Sequence, residues 1–188
     1  KIILIFFVSI KLFSQNNTFP SASSVIKKID FNMLSKSQII NSEMIVYGKR
    51  KSRTIRSRGY SEGLNKNFTE YLYPEREKGT KMLRLENRLW IYSPSTDRII
   101  QLSGHLLRQS LMGSDLSYED MMEERKLSEI YNATIVGEEK IEDRDVWKME
   151  LTALVDDINY FKRILWVDKQ RYVPLKEDLF AKSGELLK

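Results

Sequence analysis

From Ile39 to Leu102 the chain runs through short segments whose apolar residues recur at every second position, with no helical run between them. That pattern limits the fold more than any other feature, because period-two alternation marks strands buried on one face. Strands are expected at Met44 to Tyr47, Thr54 to Tyr60, Phe68 to Tyr73, Met82 to Leu85, Leu89 to Tyr92 and Ile99 to Leu102. Pro74, Gly79, the trio Glu86, Asn87 and Arg88, and the stretch Pro94 to Asp97 supply stops and turns. Parallel strands need long crossovers, usually helical, and the spacing leaves no room for them. The segments therefore form an antiparallel meander, and a parallel α/β order is excluded.

A second block of strands is expected at Ile130 to Glu138, Trp147 to Ala153, Tyr160 to Val167 and Tyr172 to Ala181. Trp147, Met149, Leu151 and Ala153 alternate with Lys148, Glu150 and Thr152, so that strand keeps one face wet. Ahead of the strands, Val25, Ile26, Ile29 and Met33 or Leu34 recur at spacings of three and four. They predict an amphipathic helix over Ser23 to Leu34, with the serines at 21 to 24 able to cap it. Between the two strand blocks, His105 to Met112 and Asp115 to Lys126 read as two short helical pieces. In the second, Asp115, Glu119 and Asp120 lead and Arg125 and Lys126 close, as the helix dipole favours. The fold class is mainly β, of α+β type.

The apolar block Ile2 to Val8, followed by Ser14 and the polar run Gln15 to Thr18, has the length of a signal-peptide h-region and is too short to span a bilayer. Residues 1–14 are read as a signal peptide clipped at its start, and 15–188 as one domain, exported to the periplasm. Glu185 to Lys188 begins a strand, which leads to the expectation of a domain truncated at its C-terminus. There is no cysteine, which removes thiol chemistry, disulfides, thiolate zinc and a lipid-anchoring cysteine together. The formal charge of +5 falls to +3 without Lys1 and Lys11. Positive charge is concentrated only at Lys49, Arg50, Lys51, Arg53, Arg56 and Arg58, read as a solvated hairpin tip and strand face. A nucleic-acid partner is not expected.

Catalysis finds little support. His105 is the single histidine, and Ser103 or Ser110 lacks the strained Gly-x-Ser-x-Gly elbow that would present a nucleophile. A metal site from His105, Asp115, Glu119 and Asp120 would offer one nitrogen and carboxylates already suited to a helix start. Adjacent acids such as Glu123 with Glu124, or Asp156 with Asp157, do not face each other on a helix, and glycine-rich phosphate loops are absent. No cofactor is expected. What stands out is apolar: Leu102, Leu106, Leu107, Leu111, Met112, Leu116, Met121 and Met122 crowd a short insert between two blocks of strands. Core packing of a helix on a sheet explains any one of them. Flexible Leu and Met side chains also suit a removable plug that must adapt to an irregular partner.

The stretch Leu89 to Arg98, then Ser103, Gly104 and His105, Leu107 to Ser110 and Met112 to Met121 resembles the outer-membrane lipoprotein-sorting proteins, and more narrowly their LolA-like branch. The match is specific over Gly79 to Met122 and architectural elsewhere. The resemblance implies an open antiparallel half-barrel, short helices covering its concave face, and a hydrophobic cavity for acyl chains. It adds Trp90, Tyr92, Trp147 and Met149 to the insert residues as candidate cavity or lid positions. It also implies an arginine that holds the lid closed, for which Arg56, Arg58 and Arg108 are the candidates. The function implied is a monomeric, non-enzymatic periplasmic carrier of lipoprotein or other lipid acyl chains, working toward the outer membrane with a membrane transporter or outer-membrane acceptor as partner. The alternative on the same fold is a lipid-sensing regulatory or exporter-accessory module.

Overall fold

A computed structural model describes residues 19–33, 35–123 and 125–188; the signal-peptide reading of residues 1–14 lies outside them. The chain opens with α1 (Ala22–Met33) and continues through β1 (Ser37–Tyr47), β2 (Ser52–Glu62), β3 (Lys66–Tyr73), β4 (Lys81–Leu85), β5 (Arg88–Ser93) and β6 (Arg98–Leu102). Short 3-10 turns follow at Gly104–Arg108, Leu111–Gly113 and Glu119–Met122. The single helical turn α2 (Leu127–Ile130) then leads into β7 (Tyr131–Ile141), β8 (Arg144–Ala153), β9 (Lys162–Asp168) and β10 (Pro174–Phe180). Every pairing is antiparallel between sequence neighbours, in a six-stranded sheet β1 to β6 and a four-stranded sheet β7 to β10. The sheet is open and not closed into a barrel.

α1 is positioned by its apolar stripe. Val25, Ile26 and Ile29 are buried against Trp147, Met149 and Leu151 of β8, Leu165 and Val167 of β9, and Ile130 and Tyr131. Each buried aliphatic side chain there contributes about 1.5–3 kcal/mol relative to exposure. The helix also reaches forward: the Asp30 carboxylate, 7% exposed, accepts hydrogen bonds from the backbone N–H groups of Leu127 (2.9 Å) and Ser128 (3.0 Å). These are orphan donors at the start of α2, so one aspartate joins the first helix to the segment between the sheets.

That segment departs from the sequence expectation. Asp115 to Lys126 is not a helix, and His105 to Met112 forms only isolated 3-10 turns. Met112 and Gly113 take positive φ values of 50° and 69°. The chain then doubles back, with Leu111 N–H donating to the Leu116 carbonyl (2.6 Å), Tyr118 N–H to that of Gln109 (3.2 Å), and a bridge between Ser110 and Ser117. The cause is side-chain competition for backbone groups. Ser114 Oγ donates to the Leu111 carbonyl and accepts from Leu116 N–H, while Ser117 and Asp120 exchange bonds through N–H, hydroxyl and carboxylate. The Asp115 charge sits in this loop and not at a helix start.

Candidate functional site

Strand alternation places Ile55 and Ser57 of β2, Thr69 and Tyr71 of β3, Met82 and Arg84 of β4, and Leu89 and Ile91 of β5 on one face of the first sheet. The 3-10 segment lies across that face as a lid. Met82, Leu89 and Leu111 form a buried cluster, with Ile91, Leu102, Leu107, Tyr118, Met121 and Met122 packed around it. The filling is incomplete. A cavity of about 230 Å³ remains among Met44, Ile55, Tyr71, Leu111 and Met121. On the other side of Met121 a second, of about 200 Å³, is lined by Leu116, Ile158, Tyr160 and Leu179. Its wall residues Glu123, Arg163 and Glu177 are shared with a third, of about 430 Å³, lined by Ile29, Met33, Leu64, Leu127, Leu165, Val173 and Pro174. Met121 lines both the first and the second, and the charged Glu123, Arg163 and Glu177 line both the second and the third.

The lid is held mainly by polar bonds to its backbone. Arg84, 5% exposed, donates to the carbonyls of Met121 (2.6 Å) and Met122 (3.1 Å). Arg53 of β2 donates to the Met112 carbonyl. Toward the second sheet, the Asp120 carboxylate accepts from the Tyr160 hydroxyl (2.6 Å) and the Lys188 ammonium (2.7 Å), which also bonds that hydroxyl (2.6 Å). Burial would push the Asp120 carboxyl up, but Lys188, the Ser117 N–H and Tyr160 together hold it below its ordinary value. Burial, with the neighbouring Asp120, pushes the Tyr160 phenol up to about 12, and burial likewise raises Tyr71 and Tyr118. These phenols are neutral, and that of Tyr160 serves as a hydrogen-bonding group. Among the described residues no three His, Asp or Glu side chains converge on a point that could hold a metal, and His105 is exposed.

A family model described as "Uncharacterized protein" matches residues 63–188. No curated protein matches the chain. A DUF1329 family protein from Desulfovibrio piger ATCC 29098 is similar at TM-score 0.70 and 22% identity, and an outer membrane lipoprotein-sorting protein domain from Vibrio parahaemolyticus at 0.67 and 24%; both show the fold. A LolA superfamily protein from Nitrosomonas europaea superposes at TM-score 0.61 with 26% identity. Each comparison covers 88% of this chain and 74% of the other. The chain belongs to the LolA-like family.

In this LolA-like protein the insert residues named from sequence separate by position. Leu102, Leu107, Leu111, Met121 and Met122 meet under the lid, Leu116 lines the second cavity, and Leu106 and Met112 are half-buried outside the cluster. Trp90 and Tyr92 do not join them. Their parity is opposite to that of Leu89 and Ile91, so they lie on the far face of the sheet, in an open apolar groove of about 490 Å³ with Phe68, Leu83, Leu85 and Ile99. Trp147 and Met149 belong to the core beneath α1 and line none of the three cavities.

The latch expectation is corrected too. Arg56 and Arg58 alternate with the inward Ile55 and Ser57, so they face away from the lid, where they bond Glu43 (2.7 Å) and the Asn41 amide oxygen (2.9 Å). Arg108 is exposed on the lid itself. The lid carbonyls are held by Arg84, which sequence reading passed over as a charge within a short strand. The signal was present, since Arg84 shares the parity of Met82 and must point where Met82 points.

Proposed function

We propose that this LolA-like protein is a periplasmic carrier that takes the acyl chains of lipoproteins or other lipids into the space between its first sheet and the lid. It delivers them toward the outer membrane by binding and release, without catalysing a reaction. The observation that carries this reading is the position of Met121, which lines two cavities under the lid and whose own carbonyl is held by a buried arginine. Cavities of this kind, taken together, reach the size range of small-ligand sites. Among the described residues no helix is long and apolar enough to cross a membrane.

The energetics explain why a lid is needed. An acyl chain leaving water gains about 0.8 kcal/mol per methylene, so about 14 methylenes gain on the order of 11 kcal/mol, and a carrier with an empty hollow would not release its cargo. Leu107, Leu111, Met121 and Met122 already occupy part of the hollow. A chain must displace them, and their return favours release, because ligand and lid compete for the same apolar surface. The similarity to a lipoprotein-sorting domain supports this cargo class.

Titration of the purified protein with a fluorescent fatty acid tests the proposal. Saturable binding is expected, and Met121→Glu, which places a charge between the two cavities, is expected to weaken it at least about tenfold. Absence of saturable binding, together with no lipid in native mass spectra of protein purified from its own envelope, would end the carrier reading.

A further inference from the structure

The β1–β2 hairpin closes through Gly48, Lys49, Arg50 and Lys51, between the paired residues Tyr47 and Ser52. The turn is tight: a Cβ on Gly48 would come within 2.9 Å of the Lys51 carbonyl oxygen. Every residue from Tyr47 to Ser52 is exposed, Tyr47 at 82%. Lys49, Arg50 and Lys51 meet no carboxylate among the described residues. Glu43, on the neighbouring strand, is engaged by Arg56 at 2.7 Å. Three cations crowded on one turn repel each other unless something outside the chain supplies negative charge. Tyr47 and Ile45, 45% exposed, share one strand face beside these cations, where solubility alone would favour polar residues.

We propose that this turn docks the protein on an anionic phospholipid bilayer, with Lys49, Arg50 and Lys51 meeting headgroup phosphates and Tyr47 seated at the interface. Charge complementarity selects the headgroups, and a tyrosine with a wet hydroxyl and an apolar ring suits that depth. A nucleic acid would call for unengaged positive charge spread along a face, whereas Arg53, Arg56 and Arg58 on β2 are bonded to the Met112 carbonyl, Glu43 and Asn41, and only the turn cations are left to an outside partner. The location adds purpose. Arg53, two residues beyond Lys51, bonds the lid at the Met112 carbonyl, so β2 joins the turn to the lid, while Tyr47 lies on the opposite face of the sheet. The docking itself does not require that the cavities hold lipid.

Flotation with phosphatidylcholine vesicles, with and without about a third phosphatidylglycerol, tests this at low salt. Binding is expected only to the anionic vesicles and should weaken as salt is added. Removal of each cation should cost about fivefold, so the triple variant Lys49→Glu, Arg50→Glu, Lys51→Glu should lose at least about a hundredfold. Tyr47→Ala should weaken docking while leaving its salt dependence unchanged. Wild-type protein that ignores anionic vesicles, or a triple variant that binds them as well as wild type, would overturn the proposal. Fatty-acid titration and thermal melting of the same samples keep the two readings apart. A triple variant that melts normally and still binds fatty acid has lost docking alone, whereas turn-dependent docking without fatty-acid binding would remove the carrier function and leave this surface standing.

Discussion

Arg84 donates to three backbone carbonyls: Nη1 to that of Met121, Nη2 to that of Met122, and Nε to that of Glu86 at 3.1 Å. Hydrogen bonds from a charged donor contribute about 1.5–3 kcal/mol each, and more is lost when a buried acceptor is left without a donor. Arg84→Leu keeps most of the apolar volume and removes both lid bonds. Amide exchange over residues 118–123 should then rise at least about tenfold while β8 and β9 stay protected, since local opening follows local bonding. Arg84→Lys should fall between, because an ammonium cannot span two carbonyls as a planar fork does. Unchanged exchange in the leucine variant would show that the lid is held elsewhere, Arg53 and Asp120 being two other attachments.

At the scale of elements, the strands were legible and the lid was not, for one physical reason. Alternation is enforced by burial over several residues, so Met82, Leu89 and Met149 announce their faces and the antiparallel order follows from short connections. α1 was equally plain, because Val25, Ile26 and Ile29 must share a stripe to reach the second sheet. Between Ser103 and Glu123 no such period operates. Ser114, Ser117 and Asp120 satisfy backbone groups locally, and the path depends on bonds to Arg84 and Lys188 that lie far off in sequence. Trp90 and Tyr92 show the opposite failure: the family resemblance suggested a cavity, but parity, which was readable, sends them to the far face. Trp90→Ala should therefore leave fatty-acid affinity within about twofold of wild type, since its side chain and the cavities lie on opposite faces of one sheet. A loss as large as that of Met121→Glu would place the ligand in the outer groove.

Across the whole molecule, two carboxylates, one within the second sheet and one between the lid and that sheet, give stability a defined pH dependence. Asp168, on the second sheet, accepts from the N–H groups of Arg171 and Gln170 (2.8 Å each) and from Arg144 (2.5 Å). These bonds, the Arg171 N–H foremost, outweigh its burial and lower its carboxyl to about 2. Asp120 joins the lid to Tyr160 and to Lys188, and its carboxyl is likewise held down despite burial. In the unfolded chain both aspartates return to an ordinary pKa near 3.8 and bind protons first as pH falls. Their contribution is thus complete above about pH 5 and is lost progressively as acid carries them through their folded values. The melting temperature should be flat near neutrality and fall below about pH 4. Asp168→Asn should lower it at pH 7 and converge on wild type near pH 2, whereas Asp120→Asn should loosen the lid at neutral pH, read as faster exchange over 118–123 and easier access for fatty acid. If acid left the lid of wild-type protein as protected as at pH 7 until the second sheet melted, the Asp120 attachment would be decorative, and Arg84 and Arg53 would set the threshold for opening.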